Sequence, residues 1–291
     1  MTQQTAAVNV LERGRPVSTE ELRARAMSVR LETIRLNGIA GIGHYSSVLS
    51  CAEILATLYY RTLRLKRGDP AWPLRDRFLL GKGHVAVGLW SILADMEFFP
   101  RAWLEGFGQL HQPLTDHPNM RWVPGIDFSS GSLGHNLSVG AGMAIAGRMR
   151  GQDYRTFVLT GDGELHEGQI WEAFMAGSHY RLGNLVAIVD ANGSCGDGEI
   201  STVMNIEPLA ARIAAFGWRA VEVDGHDVGA LARAFDTLPP PESEQPSCII
   251  ARTRKGRGVS FMEAAPRRWH LAALGPEDRA RAIAEIERGL P

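Results

Sequence analysis

Apolar and polar positions along the chain change period several times, and the changes mark out its elements. Ser18 followed by Glu21 forms a capping box, and Leu22, Met27, Leu31, Ile34 and Leu36 recur after it at roughly helical spacing. A helix is predicted there, with residues 1–17 as a flexible arm ahead of it and residues 18–291 as one domain. A Gly-rich break is expected from Gly38 to Gly43, then an apolar helix-like run through Ile54 and Tyr60. Residues 76–80 read as a short buried strand, and a helix is expected from about His84 to Met96.

The middle of the chain is more regular. Residues 156–160 and 185–190 are continuous apolar runs of strand length, and a helical stretch from Gly168 to Arg181 separates them. That is a βαβ unit. Two further strands are expected at residues 218–223 and 247–251, with a helix near Val228 to Leu238 between them and a surface loop at Pro239 to Pro246. Strands that are apolar throughout must be covered on both sides, so the expected fold is α/β, with a mostly parallel central sheet and helices on both faces. No internal repeat or low-complexity segment interrupts it.

Composition narrows the function classes. With 291 residues the chain can bury one sizeable core, and its formal net charge of -1 provides no basic field for nucleic-acid phosphates. No run approaches ~20 consecutive apolar residues, and the first residues lack the basic-then-apolar order of a secretory signal. A cytoplasmic protein with neither a membrane nor a nucleic-acid partner is expected. Cys51, Cys195 and Cys248 are dispersed and odd in number, which reads as reduced thiols.

The strongest chemical signal is Gly161-Asp162-Gly163 at the end of one predicted strand, with Asn192 at the end of the next. In an open parallel sheet both positions face the crevice beyond the carboxyl ends of the strands. Asp162 brings an anionic oxygen and Asn192 a neutral one, while Gly193 and Gly196 free the backbone to turn a carbonyl, that of Ser194, toward the same point. Such an all-oxygen set suits octahedral Mg²⁺, with Ca²⁺ or Mn²⁺ as substitutes. At ~4 Å and an effective dielectric of about 20, each unit of metal charge is worth about 4 kcal/mol against each unit of phosphate charge. A metal ion is therefore the natural bridge between Asp162 and a diphosphate.

Gly161-Asp162-Gly163 through Asn192 resembles the signature of thiamine-diphosphate enzymes. The words GDGELHEGQIWEA, AIVDANG, AFGW, DGHD and KGRGVSFME resemble the N-terminal, diphosphate-binding subunit of split transketolases, over roughly residues 20 to 271. The resemblance implies the thiamine-diphosphate-binding fold. It also implies that Asp162, Asn192 and the Ser194 main chain hold Mg²⁺ against the diphosphate, with Gly161, Gly163 and Glu164 beside the cofactor. It assigns Gly131, Ser132 and Leu133 to a loop at the aminopyrimidine edge. His44 and His117 would face the donor sugar's hydroxyls, and His84 and His270 would lie near the diphosphate and the substrate channel. Histidine suits proton shuttling between hydroxyl and carbonyl because its pKa lies near working pH.

Glu167 and Glu172 fall where the family has carboxylates at the interface of paired cofactor sites. His111, His135, His166, His179 and His226 are expected to be structural or exposed. Three stretches depart from the family pattern: Tyr45-Ser-Ser after His44, Gly193-Ser-Cys-Gly196, and Leu271 after His270.

The family activates its cofactor with a glutamate from a separate pyrimidine-binding domain. A C-terminal partner subunit is therefore implied, in a dimer of heterodimers, acting on sugar phosphates by transfer of a two-carbon ketol unit. Two other readings compete. Gly81-Lys-Gly83-His-Val-Ala86 fits a nicotinamide-dinucleotide fingerprint if a second strand ends in an acid ~20 residues later. The α subunit of a 2-oxo-acid dehydrogenase would share the metal motif, although the four histidines and KGRGVSFME favour ketol transfer.

Overall fold

The computed structural model describes residues 10–289. Ser18 caps the first helix as its capping box predicts, its hydroxyl accepting from Glu21 N at 3.0 Å. That helix, α1 (Thr19–Ala40), runs through the expected break and ends only at Gly41, whose φ of 81° is the left-handed conformation glycine adopts at a helix C-terminus. It is followed by α2 (Ser46–Thr57), β1 (Arg77–Leu80), α3 (Val87–Asp95) and α4 (Asn136–Met149). The chain continues through β2 (Thr156–Gly161), α5 (Gly168–His179), β3 (Leu185–Ala191), α6 (Leu209–Ala215) and β4 (Arg219–Asp224). Next come α7 (Val228–Asp236), β5 (Ser247–Arg252) and α8 (Pro276–Glu287).

The five strands form one parallel sheet in the order β1-β2-β3-β5-β4. Every residue of β2 and β3 is buried, which explains their unbroken apolar sequences. Alternate side chains serve two cores. Phe157, Leu159, Val186 and Ile188 pack against α1, α2, α3 and α7. Val158, Leu185, Ala187 and Val189 pack against α4, α5 and α6. Helix α4 lies so close to the sheet that a Cβ on Gly140 would meet Val158 Cγ2 at 2.6 Å, so only glycine fits there. A third cluster, including Ile34, Trp269, Ala282 and Ile286, folds α8 back onto α1.

Part of the expected loose arm is fastened. Val10–Leu11 pairs antiparallel with Leu65–Lys66, Arg13 meets the fully buried Asp76 side chain at 2.6 Å, and Arg15 donates to Leu63 O at 2.8 Å. Residues 1–9 of that arm lie outside the described residues. Among the described residues, no helix is long and apolar enough to cross a membrane. The nicotinamide reading fails on topology. After Gly81–Ala86 and α3, the next strand of the sheet starts only at Thr156, so no second strand ends where the fingerprint needs its acid.

Candidate active site

Strands β2 and β3 run in register, with Gly161 opposite Asp190, so Asp162 and Asn192 leave the same edge of the sheet. Asp162 is 5% exposed. Its Oδ2 accepts from Gly193 N at 2.6 Å and its Oδ1 from Gly163 N at 2.9 Å. Asn192 Oδ1 accepts from Ser194 N at 3.2 Å, and Ser194 O accepts from Lys255 Nζ at 3.1 Å. Asp162 and the loop 192–194 are thus tied together and line one cleft of about 360 Å³.

Charge on the cleft floor is unevenly balanced. Asp190, fully buried, accepts from Ser50 Oγ at 2.6 Å and Asn192 Nδ2 at 3.2 Å, and also from the Lys82 ammonium and the Thr253 hydroxyl. Burial alone would raise its pKa, but Lys82 outweighs burial and holds it low. Asp162 has no such partner: burial, and next the charge of Asp190, push it up to about 6. A buried carboxylate bonded to two backbone N–H groups, and to no cationic side chain among the described residues, is short of a positive charge.

Among the described residues no three His, Cys, Asp or Glu side chains form a metal cluster. The available donors are a carboxylate, an amide oxygen and a carbonyl, which fit a hard cation that also binds phosphate oxygens. Beside them Lys255, 4% exposed and lowered to about 8 by burial and by Lys82, is a cation within reach of an anion in the cleft. Glu164 lies beneath, accepting from Gly134 N at 3.0 Å and Gly161 N at 3.2 Å, and burial raises it to about 7.

All four singled-out histidines come together. Ring centroids are 4.9 Å apart for His44 and His84, 5.1 Å for His44 and His270, 5.0 Å for His84 and His270, and 6.1 Å for His44 and His117. A two-residue antiparallel ladder pairs Gly43–His44 with Leu271–Ala272, which is how the two ends of the domain bring His44 to His270. Burial, then Lys82, lowers His84 well below the ordinary histidine range, and burial, then Lys255, lowers His270 to about 4. Both rings are neutral near pH 7.

The loop residues are close by. A Cβ on Gly131 would lie 3.3 Å from His117 Cδ2, Ser132 is exposed beside it, and Leu133 lines the cleft. Glu167, at the start of α5, is exposed and also lines the cleft, whereas Glu172 is exposed one turn further along α5. His166, expected only as structural or exposed, lies on the rim with Nε2 at 2.9 Å from Met204 O. His111, His135 and His179 are exposed, and His226 is bonded within the fold.

Five polar residues of the site escaped the sequence reading: Ser47, Lys82, Asp116, Asp190 and Lys255. Asp116 joins His44 Nδ1 at 3.1 Å to His117 Nδ1 at 3.3 Å, and Ser47 Oγ meets His270 Nδ1 at 3.0 Å. Signals for three of them were present. Asp116 directly precedes His117, Lys82 stands two residues before His84, and Asp190 is a charge closing a wholly apolar strand. Around the mouth Ile42, Leu110, Trp122 and Leu271 are all more than half exposed and line an open hollow beside Asp116.

Comparison with known proteins agrees with this geometry. The family described as transketolase, thiamine diphosphate binding domain, matches residues 23–286. One of the two subunits of an apulose-4-phosphate transketolase from Phocaeicola vulgatus is 38% identical over 93% of this chain and 94% of its own. A 6-deoxy-6-sulfo-D-fructose transketolase subunit from a Clostridium species is 36% identical over 92% of this chain and 97% of its own. The crystal structure of a Campylobacter jejuni transketolase superposes with a TM-score of 0.86 at 27% identity. That match covers 93% of this chain but 43% of the solved one.

Proposed function

Since the chain belongs to the transketolase family, through that family's thiamine-diphosphate-binding domain, we propose that it is the diphosphate-binding subunit of a two-subunit transketolase. Its reaction would move a two-carbon ketol unit from a ketose, a phosphorylated one in this reading, to an aldose. One observation carries the proposal: four imidazoles converge at the mouth of a cleft whose floor presents Asp162, Asn192 and the Ser194 carbonyl.

In this reading Asp162, Asn192 and Ser194 O hold Mg²⁺, and Lys255 and the metal together neutralise the diphosphate. Gly161, Gly163 and Glu164 shape that edge of the cleft, and Gly131, Ser132 and Leu133 contact the rest of the cofactor. When bound, thiamine diphosphate supplies the electron sink for breaking and making the carbon–carbon bond. This chain's own work is to bind, orient and move protons. His84 and His270 are neutral, so each can offer one N–H and one lone pair to diphosphate or sugar. His44 and His117 face the sugar.

A second polypeptide would supply the pyrimidine-binding half of the site. The apolar rim at Ile42, Leu110, Trp122 and Leu271 supports a protein face there. Glu167 would join two such sites in a dimer of heterodimers, and the proposed setting is the cytoplasm, where the three unpaired cysteines stay reduced.

The test uses the complex purified through a tag on this chain. Calorimetric titration with thiamine diphosphate, with and without Mg²⁺, should show metal-dependent binding, and a panel of ketose phosphates should reveal ketol transfer to an aldehyde acceptor. Binding that ignores the metal would remove the assigned role of Asp162. Decarboxylation of 2-oxo acids in place of ketol transfer would move the chain to a different reaction class.

A further inference from the structure

His44 and His117 stand 73 positions apart in the chain, yet one carboxylate holds the same nitrogen of both rings. Asp116 Oδ1 lies 3.1 Å from His44 Nδ1, and Asp116 Oδ2 lies 3.3 Å from His117 Nδ1. The carboxylate is itself fixed in place. The Trp90 indole donates to Thr115 O at 3.1 Å on one side of Asp116, and the Thr115 hydroxyl donates to His117 O at 2.6 Å across it.

An ionised carboxylate only accepts hydrogen bonds, so a ring facing it through Nδ1 must carry its proton there. A neutral ring so protonated has a bare Nε2. Among the described residues nothing hydrogen-bonds Nε2 of His44 or of His117. Burial would push Asp116 up, but its bonds to the two histidines prevail and hold it well below the usual carboxylate range, so it is ionised at any working pH.

We propose that Asp116 is a positioning residue that locks His44 and His117 in the same Nδ1–H tautomer, so that both rings offer an Nε2 lone pair to the hydroxyls of the sugar. The consequence is directional. Each ring accepts a hydrogen bond from a hydroxyl and does not donate one to it. When a hydroxyl is deprotonated, its proton passes to Nε2, its electron pair stays on oxygen, and Asp116 stabilises the imidazolium until the proton returns. A carboxylate behind each ring thus makes both histidines bases first and acids second. What the lone pairs meet rests on the ketol-transfer reading; the tautomer itself does not.

The fold carries its own reference for the measurement. His226 faces Glu53 through Nδ1 at 3.1 Å, and its Nε2 accepts from the backbone N–H of Arg254 at 2.8 Å, so its tautomer is unambiguous. In the full chain labelled with ¹⁵N-histidine, long-range ¹H–¹⁵N correlation at about pH 8.5, roughly two units above an ordinary histidine pKa, reads each ring. His44 and His117, assigned by loss of signal in His44→Gln and His117→Gln, should match His226, with protonated Nδ1 and bare Nε2.

In Asp116→Asn the amide keeps one acceptor oxygen and turns an NH₂ toward the other ring. At least one of the two rings should leave the Nδ1–H form while His226 stays unchanged. Either ring found as Nε2–H in the unsubstituted chain, or neither ring moving in Asp116→Asn, overturns the proposal.

Turnover supplies the second readout. In the complex purified with its partner, Asp116→Asn should lower kcat about 10- to 100-fold, leave thiamine-diphosphate affinity unchanged, and shift the acidic limb of the kcat–pH profile, with Asp116→Glu recovering part of the rate. An active complex whose kcat ignores Asp116→Asn also overturns it. A complex that transfers no ketol unit from any ketose phosphate sinks the functional reading instead, and the tautomer result stands apart from that outcome.

Discussion

The protein contains two carboxylate–histidine clusters built from the same parts, one behind the sheet and one at the cleft mouth. Behind the sheet Glu53, 4% exposed, takes Arg30 at 2.7 Å and His226 Nδ1 at 3.1 Å, and the other nitrogen of His226 accepts from Arg254 N. Every polar atom of that imidazole is used within the fold. At the mouth Asp116 takes two imidazoles and no arginine, and both leave a nitrogen without a bond among the described residues. A histidine whose second nitrogen is bonded to backbone holds the fold together. One whose second nitrogen is bare in a cleft is equipped to act on a ligand.

The largest effect should come from the rear cluster. Glu53→Ala leaves the Arg30 guanidinium, 3% exposed, without its anion, and removing one partner of a buried pair costs about 3–5 kcal/mol. Urea unfolding should show that loss, while the fraction still folded keeps its turnover per molecule. A folded, stable Glu53→Ala protein would mean that the rear cluster is not structural.

The mouth cluster should behave in the opposite way. His117→Ala, at a side chain 44% exposed, should change stability by less than about 1 kcal/mol. Turnover in the complex should fall about 100-fold, with cofactor affinity retained. Loss of cofactor binding in His117→Ala would erase the distinction between sugar-facing and diphosphate-facing histidines.

Acid separates the two regions as well. Burial lowers His270 to about 4 from an ordinary 6.5, so the unfolded chain takes up a proton there first. Its contribution is complete above pH 6.5 and is lost as pH falls toward 4, a window shared with His84, which is lowered for the same reason. Glu53 behaves differently, because Arg30 and His226 overcome burial and hold it at about 2 against an ordinary 4.5. Its contribution is complete above 4.5 and drains away as pH falls toward 2. Urea midpoints measured from pH 7 downward should decline in the first window because of the cleft, less steeply in His270→Gln. Glu53→Gln should flatten only the lower window. A midpoint independent of pH between 6.5 and 4 would contradict a buried neutral His270.

Much of the fold was legible because β2 and β3 are buried on both faces. An unbroken apolar run of strand length then has one economical meaning, and the strands, α1's capping box and the Gly161-Asp162-Gly163 turn could be read directly. What lay outside sequence reach was pairing over distance. The Lys82–Asp190 pair spans 108 positions, the His44–Asp116 bond 72, and the Arg13–Asp76 clamp 63. Sheet order and a two-residue ladder decide those meetings, and no local period records either. The same limit misjudged residues 10–17. They look like a polar arm until Arg13 and Arg15 are seen against Asp76 and the carbonyls beyond α2.

The smallest effect comes from a third way of holding a ring, with a neutral hydroxyl in place of a carboxylate. Ser47 is 2% exposed, its carbonyl accepts from Lys82 Nζ at 3.2 Å, and its Oγ lies 3.0 Å from His270 Nδ1. A hydroxyl can donate to that nitrogen or accept from it, so it orients His270 without dictating where the ring's proton sits. Ser47→Ala therefore removes one neutral hydrogen bond and no charge. A cost of about 1 kcal/mol is expected, read as a roughly fivefold fall in kcat of the complex, with the acid window of His270 left where it was. A loss as large as that of His117→Ala would mean that a specific tautomer of His270 is required too, and the division between carboxylate-held and hydroxyl-held histidines would no longer mark which rings move protons.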